Sequence, residues 1–140
     1  GNNYGDLARI LWSEVNQIDD ARARKQVTNG VRRALVKHYS SQVGDGPVAD
    51  RFVRLAEVLT EAGYDVELHE RDGLPVLRET SCPFPELAVC DPDICNLEQD
   101  VFSEVLGTPL ELTSCWRDGE SYCEFESRPE QLPADAVLLK

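Results

Sequence analysis

The sequence predicts an α+β fold, with helices first and a small antiparallel sheet with interposed short helices after them. Two observations carry this. Apolar residues recur at helical spacing through the first 62 residues. Beyond residue 63, alternating stretches flank glycine-containing turns, and one further helical stripe stands between them.

The first stripe is Leu7, Leu11, Val15 and Ile18, widened by Ile10 and Trp12. Asp19 or Asp20 can cap a second helix, along which Val27, Val31, Leu35 and Tyr39 form an apolar line. Gly44-Asp45-Gly46-Pro47 breaks the chain. A third helix then carries Val48, Phe52, Leu55 and Leu59 on one face, with Gly63 placed to stop it. From Tyr64 to His69 the pattern alternates with the period of a half-buried strand. Arg71-Asp72-Gly73 supplies a turn, and Leu74 to Thr80 returns as the hairpin partner. A short helix is expected over Glu86 to Val89. A longer one carries Leu97, Val101, Val105 and Leu106 and ends at Gly107. Pro109 to Trp116 and Ser121 to Ser127 read as a second hairpin. The tail from Leu132 to Leu139 is apolar enough to dock weakly. The expected organisation is one sensory domain over 1–140, with a helical part over 1–62 and an α+β part over 63–127.

Charge narrows the function classes. The net charge is −12, and a surface this acidic repels phosphate backbones. The imbalance is concentrated late: residues 80–140 carry 13 acids against 3 bases. Bases gather instead between Arg22 and Lys37, as on a solvated helix face. No apolar run is long enough for a membrane span and no leader is visible, so a cytoplasmic protein with no membrane partner is expected. Gly-rich phosphate loops, paired acid/base carboxylates and nucleophile signatures are absent from the sequence, so no enzymatic role is expected. His38, near the end of the second helix, and His69, at the end of a strand, read as surface residues.

All five cysteines lie between Cys82 and Cys123, spaced Cys82-x7-Cys90-x4-Cys95-x19-Cys115-x7-Cys123. An odd count argues against a paired disulfide framework, and a chain of 140 residues does not need one. Cys82 leaves the end of a strand. Cys95 opens a helix, where the dipole favours a thiolate. Cys115 and Cys123 stand on the two arms of one hairpin, whose strands lie about 4.8 Å apart. Four thiolates so placed suit an iron–sulfur cluster or, alternatively, tetrahedral zinc. Cys82, Cys95, Cys115 and Cys123 are therefore the expected metal ligands, with Cys90 in reserve or as a redox-sensitive extra.

A family resemblance rests on Gly63 to Leu68, Asp72-Gly73, Ser81-Cys82-Pro83-Phe84, Ile94-Cys95-Asn96-Leu97-Glu98, Leu106-Gly107-Thr108-Pro109 and Gly119 to Phe125. Together they resemble the C-terminal half of SufR-like winged-helix transcriptional regulators, repressors of an iron–sulfur assembly operon and their relatives. Asn3-Tyr4-Gly5-Asp6-Leu7 looks like the segment that follows their winged-helix domain. The resemblance implies that Cys82, Cys95 and Cys123 hold a cluster, often 4Fe-4S. It also implies that the chain forms a homodimer, and that DNA is reached only through an N-terminal winged-helix domain absent from this sequence. The chain departs from the cyanobacterial pattern at one ligand: it has no cysteine near Pro109 and offers Cys115 instead. The Cys115-x7-Cys123 hairpin is similar to that of 4-vinyl-reductase-type sensor domains, where the pair, an upstream cysteine and a Glu hold structural zinc. Glu111 is the possible counterpart of that Glu, one residue too far from Cys115. On this second likeness the chain would be a zinc-stabilised module for a small molecule.

Overall fold

A computed structural model describes residues 4–80, 93–114 and 122–127. The elements run α1 (Tyr4–Asn16), α2 (Ala21–Val43), α3 (Val48–Glu61), β1 (Val66–Arg71), β2 (Leu74–Glu79), α4 (Asp93–Leu106), β3 (Leu110–Ser114) and β4 (Cys123–Ser127). The class is α+β, as the periodicities predict. The expected helix over Glu86 to Val89, the tail from Leu132 to Leu139, and Cys82, Cys90 and Cys115 lie outside the described residues.

Local chemistry explains where the helices start and stop. The first ends at Asn16, two residues short of the predicted Ile18, because the chain must turn to let Asp20 cap α2. The Asp20 carboxylate accepts from the Arg22 and Ala23 amides at 2.9 and 3.4 Å. Arg24 donates to the Ile18 carbonyl at 2.7 Å, so the same bend also satisfies a loop oxygen. Between α2 and α3, Arg54 donates to the Val43 carbonyl and, at 2.7 Å, to that of Asp45; Arg51 donates to Gly46 at 2.9 Å. These arginines occupy the carbonyls that a helix end leaves without partners. At the end of α4 the chain reverses through Gly107 at φ +74, where a Cβ would stand 2.8 Å from Arg51 Nη1. Only glycine suits both constraints.

Two antiparallel hairpins make the sheet, and it has a join that the alternation alone does not reveal. The order is β1-β2-β4-β3, so β4 lies between β2 and β3. The first turn holds Asp72 and Gly73 at φ 55 and 78, the left-handed pair that suits the twist of a two-residue hairpin. Val66 pairs with Glu79 and Leu68 with Leu77; Leu77 pairs in turn with Phe125, and Phe125 with Leu112. Because successive side chains alternate, this row shares one face of the sheet. That face meets Phe52, Leu55 and Leu59 of α3 and Val101, Phe102, Val105 and Leu106 of α4, all buried in one cluster with Val43 of α2. A single core thus spans the helical part and the α+β part. Edge-to-face contacts, Tyr39 to Phe102 at 6.2 Å and Phe102 to Phe125 at 5.5 Å, run from α2 through α4 to β4.

The opposite face is polar. Glu124 is only 2 % exposed there and takes bonds from Arg78 Nε at 2.8 Å and Arg71 Nη1 at 3.2 Å, while Arg71 also reaches Glu126 at 2.6 Å. Arg78 stacks over Tyr122, 4.4 Å from the ring centre. His69 bonds Glu67 at 2.7 Å on this exposed face. No helix among the described residues is long and apolar enough to cross a membrane.

Candidate metal centre

The geometry that matters is set by how α4 lies along β3. Ser103 Oγ accepts from the Leu110 amide at 3.1 Å, and Gln99 Oε1 accepts from the Leu112 amide at 3.3 Å. Four residues along α4 therefore match two along β3, in reverse direction. The rises agree: about 6 Å for four helical residues and about 6.8 Å for two strand residues. The next step in this direction runs from Gln99 towards Cys95 and from Leu112 towards Ser114, across a register shift in β3 between Leu112 and Ser114. Residues 95, 99 and 103 share a helix face, so Cys95 belongs to the side of α4 that runs along β3. These side chains also occupy amide donors of the edge strand, which would otherwise be open to another chain.

Ser114 is the residue before Cys115, and it pairs across the ladder with Glu124, the residue after Cys123. On the other side of β4, Cys123 pairs with Glu79, which precedes Cys82 by three residues. The Thr80 amide and hydroxyl donate to the Asp65 carbonyl at 2.9 and 3.2 Å, which ties down the end of β2. The end of β2, the start of β4, the end of β3 and the first turn of α4 therefore meet at one end of the sheet. Residues span at most about 3.6 Å each.

Cys123 is 6 % exposed, at the start of β4 and on the helix-facing side of the sheet. Cys95 is half-buried and packs in a small cluster with Ile94, Leu97 and Trp12, the last belonging to α1. Glu111 pairs with Glu126 and so lies on the outer face, opposite in parity to Cys123. It is turned away from the side on which Cys123 lies. Among the described residues no three His, Cys, Asp or Glu side chains come close enough to hold a metal ion. Cys82, Cys90 and Cys115 fall outside that group.

The residue that sequence reasoning missed at this end of the sheet is Glu79. It is 2 % exposed, and among the described residues no N–H or hydroxyl donor reaches either carboxylate oxygen. Burial pushes its carboxyl up to about 7, while a hydrogen bond with the Glu98 carboxyl pulls the other way. Two carboxyls can bond each other only when one carries a proton, so the pair loses this bond once both are ionised. A signal was present. Glu79 has the parity of Leu77, so alternation in β2 puts a charged residue on the apolar face. An orphaned buried carboxylate beside a buried cysteine is a donor set that fits a metal cation.

Next to this corner, α2 and α4 enclose a cavity of about 200 Å³ whose walls include Leu35, Tyr39, Tyr64, Leu97, Glu98 and Phe102. Burial, with Tyr64 as the next cause, holds the Tyr39 phenol well above its usual range; Tyr64 is raised by burial and lowered by its hydrogen bond with Tyr39. Both hydroxyls therefore remain neutral donors. No protein-family model and no curated protein matches the chain.

Proposed function

We propose that this chain is the sensory and dimerisation domain of a transcriptional regulator, binding an iron–sulfur cluster or zinc through Cys82, Cys95, Cys115 and Cys123, with Cys90 in reserve. What supports this reading is the convergence of chain ends. Cys95 is on the α4 face that runs along β3, the strand that ends at the residue before Cys115, and Cys123 pairs with Glu79 of β2 while the next residue, Glu124, pairs with Ser114 of β3. Five cysteines confined to the stretch from Cys82 to Cys123 add the donors. The role is binding rather than catalysis.

Signal transmission would run through α1. Trp12 packs against the same small cluster as Cys95, so ligation at Cys95 would stiffen the seat of α1 on α4. That helix has no fully buried residue, and its Leu7, Ile10 and Leu11 are about half exposed. A second copy of the chain would cover this stripe, and DNA would be held by a separate winged-helix domain. A shift of about 100-fold in dimer occupancy, on the order of 3 kcal/mol, is enough for a switch.

A second reading, a zinc-stapled module for a small apolar ligand, is favoured by the cavity between α2 and α4. Anaerobic purification followed by visible absorbance and elemental analysis separates the two. Brown protein with iron and acid-labile sulfide supports the sensor; colourless protein with one zinc per chain supports the second. Neither metal, with every thiol freely titratable, defeats both.

A further inference from the structure

We propose that the Glu79 carboxylate is itself a ligand of the metal centre, making the donor set mixed oxygen and sulfur and suiting it to zinc. This rests on the metal-binding reading above and deepens it. Glu79 is the cross-strand partner of Cys123, on the same face of the sheet, so the two side chains stand about 5 Å apart at their roots. Its oxygens are buried and, once Glu79 and Glu98 are both ionised, meet no donor among the described residues, which is costly for a carboxylate unless a cation satisfies it. Glu98, the group it bonds, is another carboxyl and brings no positive charge. Arg78, one residue away, is committed to Glu124 on the far face and cannot serve. Glu79 precedes Cys82 by three residues, so the two candidate donors are close in sequence.

The ligand chemistry follows from hardness and charge. Zinc accepts carboxylate oxygen alongside thiolate sulfur in tetrahedral sites, whereas iron–sulfur clusters are held mostly by thiolates. In a four-coordinate site a carboxylate donor takes the place of one of the four cysteines, so two of the five stay outside the first shell. Glu111, on the outer face, is excluded from the same role by the parity of β3 and β4.

The full chain, stripped of metal and reloaded with zinc, tests this by X-ray absorption at the zinc edge and by competition with a chromophoric chelator. The expected first shell holds sulfur at about 2.3 Å and at least one oxygen at about 2.0–2.2 Å. Glu79→Gln should weaken zinc affinity by about 100-fold and lengthen or remove the oxygen shell, while Glu111→Gln leaves both unchanged. Circular dichroism of the metal-free variants confirms that each is folded. An all-sulfur shell, or a loss of affinity in Glu98→Gln with none in Glu79→Gln, overturns the role of Glu79 and leaves the metal centre standing. Failure of the wild-type chain to bind zinc or iron at all overturns the metal centre with it.

Discussion

Two buried glutamates on opposite faces of one sheet respond to pH in opposite senses. Burial pushes Glu124 up, but the bonds from Arg78 and Arg71 outweigh it and hold its carboxyl below the usual range. Its stabilising contribution is present above the ordinary carboxylate pKa and is lost as pH falls through the lowered folded value. Arg78→Ala leaves the buried carboxylate with the more exposed Arg71 alone. A loss of about 2 kcal/mol at pH 7, read by urea denaturation, is expected, shrinking in acid. Glu79 has the reverse sign. In the metal-free chain its folded pKa, about 7, lies above its ordinary 4.5, so the folded state binds the extra proton. Its own contribution to stability is largest below about pH 4.5 and declines as pH rises to about 7, by on the order of 3 kcal/mol. In Glu79→Gln without metal that decline should flatten, and the variant should be the more stable protein at pH 8. Denaturation curves across the pH series check both signs, and an unchanged slope would contradict the assignment to Glu79.

Among the elements, α2 and α4 do the positioning. The 23-residue α2 is polar along most of its length and reaches the core with Leu35, Val36, Tyr39 and Val43. Its start depends on Asp20. Asp20→Ala should cost about 1 kcal/mol and loosen the bend that seats α1, seen as faster amide exchange at Arg22 and Ala23. Midway along, Arg32 bonds Glu104 at 2.5 Å and ties the helix to α4 at a partly exposed position. Such a pair contributes little stability, so it sets the helix pairing more than it strengthens it. The bonds from β3 to Gln99 and Ser103 matter more for the site, because they fix how α4, which carries Cys95, runs along β3. Replacing Gln99 by Ala removes one of two register marks. It should lower metal affinity more than it lowers the stability of the metal-free chain, which titration and melting together would show.

At the level of the whole molecule, the apolar core is closed on the inner face of the sheet, while α1 remains an amphipathic helix with its apolar stripe open. A chain with an exposed stripe of this kind is expected to associate. Leu7→Asp with Leu11→Asp should convert dimer to monomer in sedimentation velocity while leaving the melting of the core within about 1 kcal/mol, since neither residue is buried. A wild-type chain that sediments as a monomer with and without metal would remove dimerisation from the proposed mechanism. Long separation along the chain between α2 and α4, and between β2 and β4, means that the corner near Glu79 forms only when the global fold does.

Sequence pattern was enough to read the α+β class, the four described helices, both hairpins, the turn at Gly73 and the helix stops at Gly63 and Gly107, because these depend on neighbours within a turn or two. Asp20, as one of two candidate caps, and the turn at Asp72-Gly73 were legible for the same local reason. The placement of β4 between β2 and β3 was not, since strand order depends on long-range pairing that leaves no mark on alternation. Glu111 kept a candidate's place until register assigned it to the outer face. Glu79 looked like an ordinary strand-end charge until burial without an N–H or hydroxyl donor set it apart. The cysteine spacing supplies the donors, but only tertiary structure decides which chain ends meet, because that depends on β4 filling the gap beside β2 and on α4 lying antiparallel along β3.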